Sequence, residues 1–254
     1  MYKIESEPMS SAFFGCWSAA GKHLDRQVIG GMQSWIRSHP HPPYQEHLSF
    51  RLGNQLFFVR VIDADDEVAG LGSVRGLFSV AEQASGHACT MGMRRQGLAG
   101  RWQPVDPGWG LRNATTGALV DPVALVSDES TPMSAWEMHH LAVQVVEENL
   151  IADGYSEVSM QPNPRVSPSI WFVGDSGELE WVVVRCTHDL RADPVRPHDW
   201  DAIAEACAAK SEVGHFAWVV VQESAPDRPG IEAGLSRPRR GHELSVIYSG
   251  FEDE

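Results

Sequence analysis

The stretch SIWFVGDSGELEWVVVRC, residues 169–186, constrains the fold more than any other. Two runs rich in β-branched and aromatic residues flank GDSG, and Asp175-Ser176-Gly177 is turn chemistry, so the stretch specifies a β-hairpin. Side chains alternate across a strand. Trp181, Val183 and Arg185 therefore share one face, and Glu180 lies on the other. Downstream, HFAWVVVQES reads as a strand buried on both faces, because its apolar run does not alternate. HELSVIYSGF adds an edge strand.

The elements around the hairpin set its context. TPMSAWEMHHLAVQVVEENLIADG reads as a helix. It has two possible starts, Thr131 with Pro132 or a capping box of Ser134 and Glu137, and Gly154 is its stop. A strand over residues 157–161 and the loop PNPRVSP lead into the hairpin. Residues 197–210 form a further helix, with Trp200, Ile203 and Cys207 facing inward. Helices and strands in this order make a mixed sheet with helices on both faces.

The first half is less regular. The spacing predicts a helix over residues 17–38, weakened by Gly30-Gly31 and stopped by SHPHPPY. Two strands follow around Gly53-Asn54, and then an acidic loop over residues 63–67. Leu77, Val80, Ala84, Ala88 and Met91 predict a second helix over residues 77–96, with Met91-Gly92-Met93-Arg94-Arg95 as its basic C-terminal end. The Gly-, Pro- and Trp-rich segment beyond Gly97 reads as a linker or surface loop, with a hairpin near Thr116-Gly117. No internal repeat is visible. The expectation is an α/β (α+β) protein with an N-terminal α+β region, residues 1–130, and a C-terminal α/β domain, residues 131–254.

Charge and cysteines narrow the function classes. The 254 residues carry a formal net charge of -14, and the excess lies in the second half, where 21 acidic residues after Glu129 face nine basic ones. An acidic surface repels phosphate, which disfavours non-specific nucleic-acid binding. Cys16, Cys89, Cys186 and Cys207 are widely spaced without a CxxC pair and read as buried thiols of a reducing compartment. With no long apolar run and no basic-then-apolar leader, the expectation is a cytoplasmic protein without a membrane span.

Residues 134–221 resemble the core of the restriction-endonuclease-like, PD-(D/E)xK nucleases. The features that carry the likeness are AWEMHHLAVQVVEENLIADGY, EVSMQ, NPR and PSIWFVGDSGELEWVVVR. The resemblance implies a metal-binding Asp at Ser169, a Glu at Val183 and a Lys at Arg185, with Glu137 matching a helix Glu that some members use. Three of those four positions have lost their chemistry. Mg²⁺ takes oxygen ligands, usually with one or two carboxylates. Ser169 is neutral, Val183 supplies nothing, and Arg185 stays protonated and cannot act as a base. It can still clamp an anion. Asn163 and Arg165 in the preceding loop could join it, and Trp102 and Trp109 could line a groove or partner surface.

Other chemistry is poorer. His139-His140 with Glu137 suggests zinc, but adjacent helical positions diverge by about 100°. His87 and Cys89 would also diverge on a helix. GxGxxG, the P-loop and the G-x-S-x-G elbow are absent. The expected function is non-catalytic, without a cofactor. It would be binding of a protein partner or small anionic ligand through a degenerate nuclease-like fold. One alternative is a Mg²⁺-dependent nuclease with carboxylates rearranged among Glu137, Asp175, Glu178 and Glu180. Another is an acidic protein that mimics nucleic acid toward a basic partner.

Overall fold

The structure, a computed structural model, describes residues 10–32, 35–37, 47–68, 70, 73–97, 100–224 and 237–251. It is α+β, with two mixed sheets flanked by helices. One compact unit is formed by Ser6–Ser130, and a second holds Thr131–Glu254.

The Ser6–Ser130 unit opens with α1 (Ser11–Asp25), whose N-cap Ser10 accepts a hydrogen bond from Phe13 N–H. The helix predicted for residues 17–38 starts earlier and is much shorter. Asp25 accepts Met32 N–H at 2.8 Å, and Gly30 and Gly31 both take φ near +85°, so the glycines turn the chain instead of merely weakening a helix. Residues 35–37 are strand β1 (Trp35–Arg37), and the SHPHPPY stop lies outside the described residues. β2 (Leu48–Leu52) and β3 (Gln55–Asp63) form the predicted hairpin around Gly53-Asn54.

The second predicted helix is half right. α2 (Val74–Ala84) buries Leu77, Ala81 and Ala84, and then Ser85 takes a left-handed conformation that ends it. From there the period changes to two, as Cys89, Met91 and Met93 are buried in alternation along β4 (His87–Gln96). The basic residues at its end cap no helix. Arg94 pairs with Asp65, and Arg95 lies 4.8 Å over the Trp102 ring.

Nor is the Gly-rich segment a linker. It contains β5 (Arg101–Pro104), the hairpin of β6 (Leu111–Asn113) and β7 (Leu119–Val120), and α3 (Pro122–Leu125). Buried Asn54 donates to Ser127 Oγ and the Glu129 carbonyl, which fastens its end to the β2–β3 turn. The sheet runs β1-β2-β3-β4-β6-β7 with β5 also on β4, and only β3 and β4 pair in parallel. α1 covers one face through Phe13, Cys16, Trp17, Ala20 and Leu24, against Phe57, Val59 and Met91.

The Thr131–Glu254 unit follows its sequence reading more closely. α4 (Ala135–Ala152) starts at the Ser134/Glu137 capping box, not at Thr131 with Pro132. β8 (Ser156–Met160), β9 (Ile170–Val173), β10 (Leu179–Thr187), α5 (Trp200–Cys207), β11 (Gly214–Glu223) and edge strand β12 (Leu244–Phe251) complete it. The sheet order is β12-β11-β10-β9-β8, with β10 and β11 parallel and the other pairs antiparallel. α4 packs on Val182, Val184 and Val219, and α5 covers Trp171, Trp181 and Val183 on the opposite face.

The two units share one connectivity, which the sequence did not reveal as a repeat. Each runs helix, three antiparallel strands, helix, a strand parallel to the third, and then an antiparallel return.

Candidate functional site

Strand alternation puts Arg185 on the face of β10 that α5 covers, in line with Trp181 and Val183. The guanidinium is half-buried, and its hydrogen bond goes from Nη1 to the Val184 carbonyl at 3.0 Å. A guanidinium has five N–H donors, so most of its capacity is unspent. Among the described residues no carboxylate is within ion-pair distance of it. Burial lowers its pKa, and Asp199 is the main charge opposing that shift. Asp199 caps α5 without a side-chain hydrogen bond to the helix, so its carboxylate is not committed there. His139 gives no compensation. It is 3% exposed, its Nε2 has no partner among the described residues, and burial followed by the Arg185 charge pushes its pKa down to about 4. The imidazole is therefore neutral at pH 7.

The other positions named by the resemblance make structural contacts or are exposed. The hydroxyl of buried Ser169 accepts Val184 N–H at 3.1 Å, and Val183 is fully buried under α5. Asn163 Oδ1 accepts Arg165 N–H and closes its own loop, and the Arg165 side chain is exposed. Trp109 is buried and stacked on Phe50, and half-buried Trp102 packs onto the α1 core.

Glu137 is a buried structural anion. Its carboxylate receives Arg240 Nε at 2.9 Å and Nη2 at 2.8 Å, as well as Ser134 N–H at 2.8 Å. The turn carboxylates are elsewhere. Tyr155, just past the end of α4, donates its hydroxyl to Asp175 at 3.3 Å, and Glu180 pairs with His215 at 2.6 Å. Glu178 is exposed at the turn. Glu137 stands at the start of α4, and a helix of this length puts its two ends more than about 20 Å apart. Glu137 therefore does not meet the turn carboxylates. Among the described residues no group of three or more His, Cys, Asp or Glu side chains is arranged to hold a metal ion. The donors at Ser169, Val183 and Arg185 do not fit Mg²⁺ either.

The zinc candidates are also separated. His140 stacks on Trp136 at 5.1 Å between ring centres, while His139 is buried near Arg185. His87 and Cys89 lie on a strand and so share a face, contrary to the helical expectation. Burial pushes the Cys89 thiol up to about 12, away from the thiolate a metal needs.

Sequence reasoning missed Arg239 and Arg240. Arg239 donates to Glu223 from Nε and Nη2, and the backbone on either side bridges to the entry of α4, with Arg240 N–H on the Thr131 carbonyl at 2.9 Å. The signal was present as the basic run RPRR, residues 237–240, in an otherwise acidic half. No helix among the described residues is long and apolar enough to cross a membrane.

No curated protein and no solved structure matches this chain. Residues 136–253, which run from the first turn of α4 to just beyond β12, match the model of a family described as a domain of unknown function, DUF8840.

Proposed function

We propose that the protein is a non-catalytic binding protein whose C-terminal unit has a restriction-endonuclease-like plan and holds a small oxyanion at Arg185. The observation that carries this reading is the half-buried guanidinium with one hydrogen bond, to the carbonyl of its own neighbour, and no ion-pair partner among the described residues. A half-buried cation without an ion-pair partner bears part of the desolvation cost, and a phosphate or carboxylate group would accept its free donors in bidentate fashion. The sequential sheet order and the single parallel pair joined by a helix support the nuclease-like plan. The loss of oxygen ligands at Ser169 and Val183 supports binding over metal-assisted hydrolysis.

Isothermal titration with inorganic phosphate tests this. The expected result is saturable binding by the intact chain, and loss of the heat assigned to this site in Arg185→Gln with unchanged circular dichroism. Titration curves that Arg185→Gln leaves unaltered would overturn the proposal, as would metal-dependent cleavage of DNA or RNA by the purified protein.

A further inference from the structure

The shared connectivity extends to individual residues. In the Ser6–Ser130 unit, Phe57 of β3 pairs with Phe50 on one side and His87 on the other. In the Thr131–Glu254 unit, Val182 of β10 pairs with Ile170 and His215 in the same way. Setting Phe57 on Val182 aligns the rest of both strands. Gln55 falls on Glu180, and each accepts a hydrogen bond from the matching histidine: His87 Nε2 to Gln55 Oε1 at 2.9 Å, and His215 Nε2 to Glu180 Oε2 at 2.6 Å. Gly86 falls on Gly214. A Cβ at Gly86 would strike Phe58 and Leu56, and one at Gly214 would strike Trp181, the counterpart of Leu56. Buried Ser49, one residue before Phe50, falls on buried Ser169, one before Ile170.

The same alignment sets Arg60 on Arg185. Phe57, Val59 and Val61 belong to the core under α1, so Leu56, Phe58 and Arg60 take the opposite face, as Trp181, Val183 and Arg185 do. Arg60 is half-buried, and its buried Nε meets no acceptor among the described residues. Buried Ser49, which opposes Phe58 across the hairpin, also has a hydroxyl without a partner among the described residues.

Five positions that match in type or role, on or directly beside three strands in one register, are too many for a shared fold class alone to require. We infer that the chain is a tandem of two copies of one unit, and that Arg60 is the counterpart of Arg185, forming a second oxyanion site on the Ser6–Ser130 unit. This inference rests on the reading of Arg185 as an anion-binding residue. It extends that reading to residues the matched family segment does not reach.

The stoichiometry of phosphate binding by the full chain tests both ideas separately. Two sites are expected in the unaltered protein, one in Arg60→Gln, one in Arg185→Gln and none in the double variant. One site in the unaltered protein that persists in Arg60→Gln and vanishes in Arg185→Gln would overturn the second site and leave the Arg185 reading intact. One site that vanishes only in Arg60→Gln would overturn the Arg185 reading. Phosphorus NMR line broadening in Arg60→Lys provides the check if the glutamine variant fails to fold. Retained cationic charge should keep two sites, and two sites surviving in a folded Arg60→Met variant would overturn the inference.

Discussion

Removing the Arg240 guanidinium should be among the most damaging single changes to the Thr131–Glu254 unit. The Arg240 and Glu137 side chains are 2% and 5% exposed and meet through three hydrogen bonds of 2.8 to 3.1 Å. In Arg240→Met the Glu137 carboxylate keeps the Ser134 N–H donor and stays buried beside Trp136. Breaking a buried pair from one side costs about 3–5 kcal/mol, because an uncompensated charge is left behind. For a unit of this size that corresponds to a midpoint drop of roughly 10–20 °C. The double variant Glu137→Met/Arg240→Met removes both charges. It should lose mainly the capping box, a loss of about 1 kcal/mol. Urea unfolding followed by tryptophan fluorescence gives both numbers, and an unchanged denaturant slope shows that stability alone has moved. A cost under about 1 kcal/mol for Arg240→Met would refute the argument. So would a double variant whose loss equals the sum of the two singles, since the groups would then not be coupled.

Further consequences concern protonation, thiols and packing. His139 has a folded-state pKa of about 4 against an ordinary 6.5, set first by burial and then by Arg185. The unfolded chain therefore binds the extra proton between those values. Stability should be complete above pH 6.5 and fall by about 1.4 kcal/mol per pH unit toward pH 4. The stability difference between the unaltered protein and His139→Leu should change across that window, and a flat difference would count against a buried neutral imidazole. Burial raises the thiols of Cys16, Cys89 and Cys186 to about 12 and that of Cys207 to about 11. None should react with a disulfide reagent at pH 8 until urea is added, and rapid native labelling at any one would contradict the packing around it. Gly214→Ala drives a methyl into the Trp181 ring, and overpacking of that kind costs about 1–3 kcal/mol. Thermal melting equal to that of the unaltered chain would show that the ring can move aside.

Local chemistry made much of the second half legible. The GDSG turn, the Ser134/Glu137 capping box and the apolar run of β11 each determine their element from a few neighbouring residues. The first half misled where two periods met. Leu77 to Ala84 has helical spacing, and Ala88 and Met91 extend it by coincidence across a left-handed Ser85 that ends the helix. The chain reads as helix to Gln96 unless the alternation of Cys89, Met91 and Met93 is given priority. That alternation has a physical cause only once β3 lies beside it.

The sequence by itself determined that the hairpin exists, that Glu180 and Arg185 sit on opposite faces, and that Ser169, Val183 and Arg185 stand where the nuclease resemblance would expect two carboxylates and a lysine. These follow from turn residues, strand alternation and residue identity, all of which act over a few positions. Tertiary structure alone decided that Glu137 is neutralised by Arg240, 103 residues away, and that the turn carboxylates lie at the far end of α4. It also decided that Arg60 and Arg185 occupy matching register positions in the two units. Partners distant in the chain leave no periodic trace in it, and strand register is set by backbone pairing and packing, so it can match between two units whose side chains mostly differ.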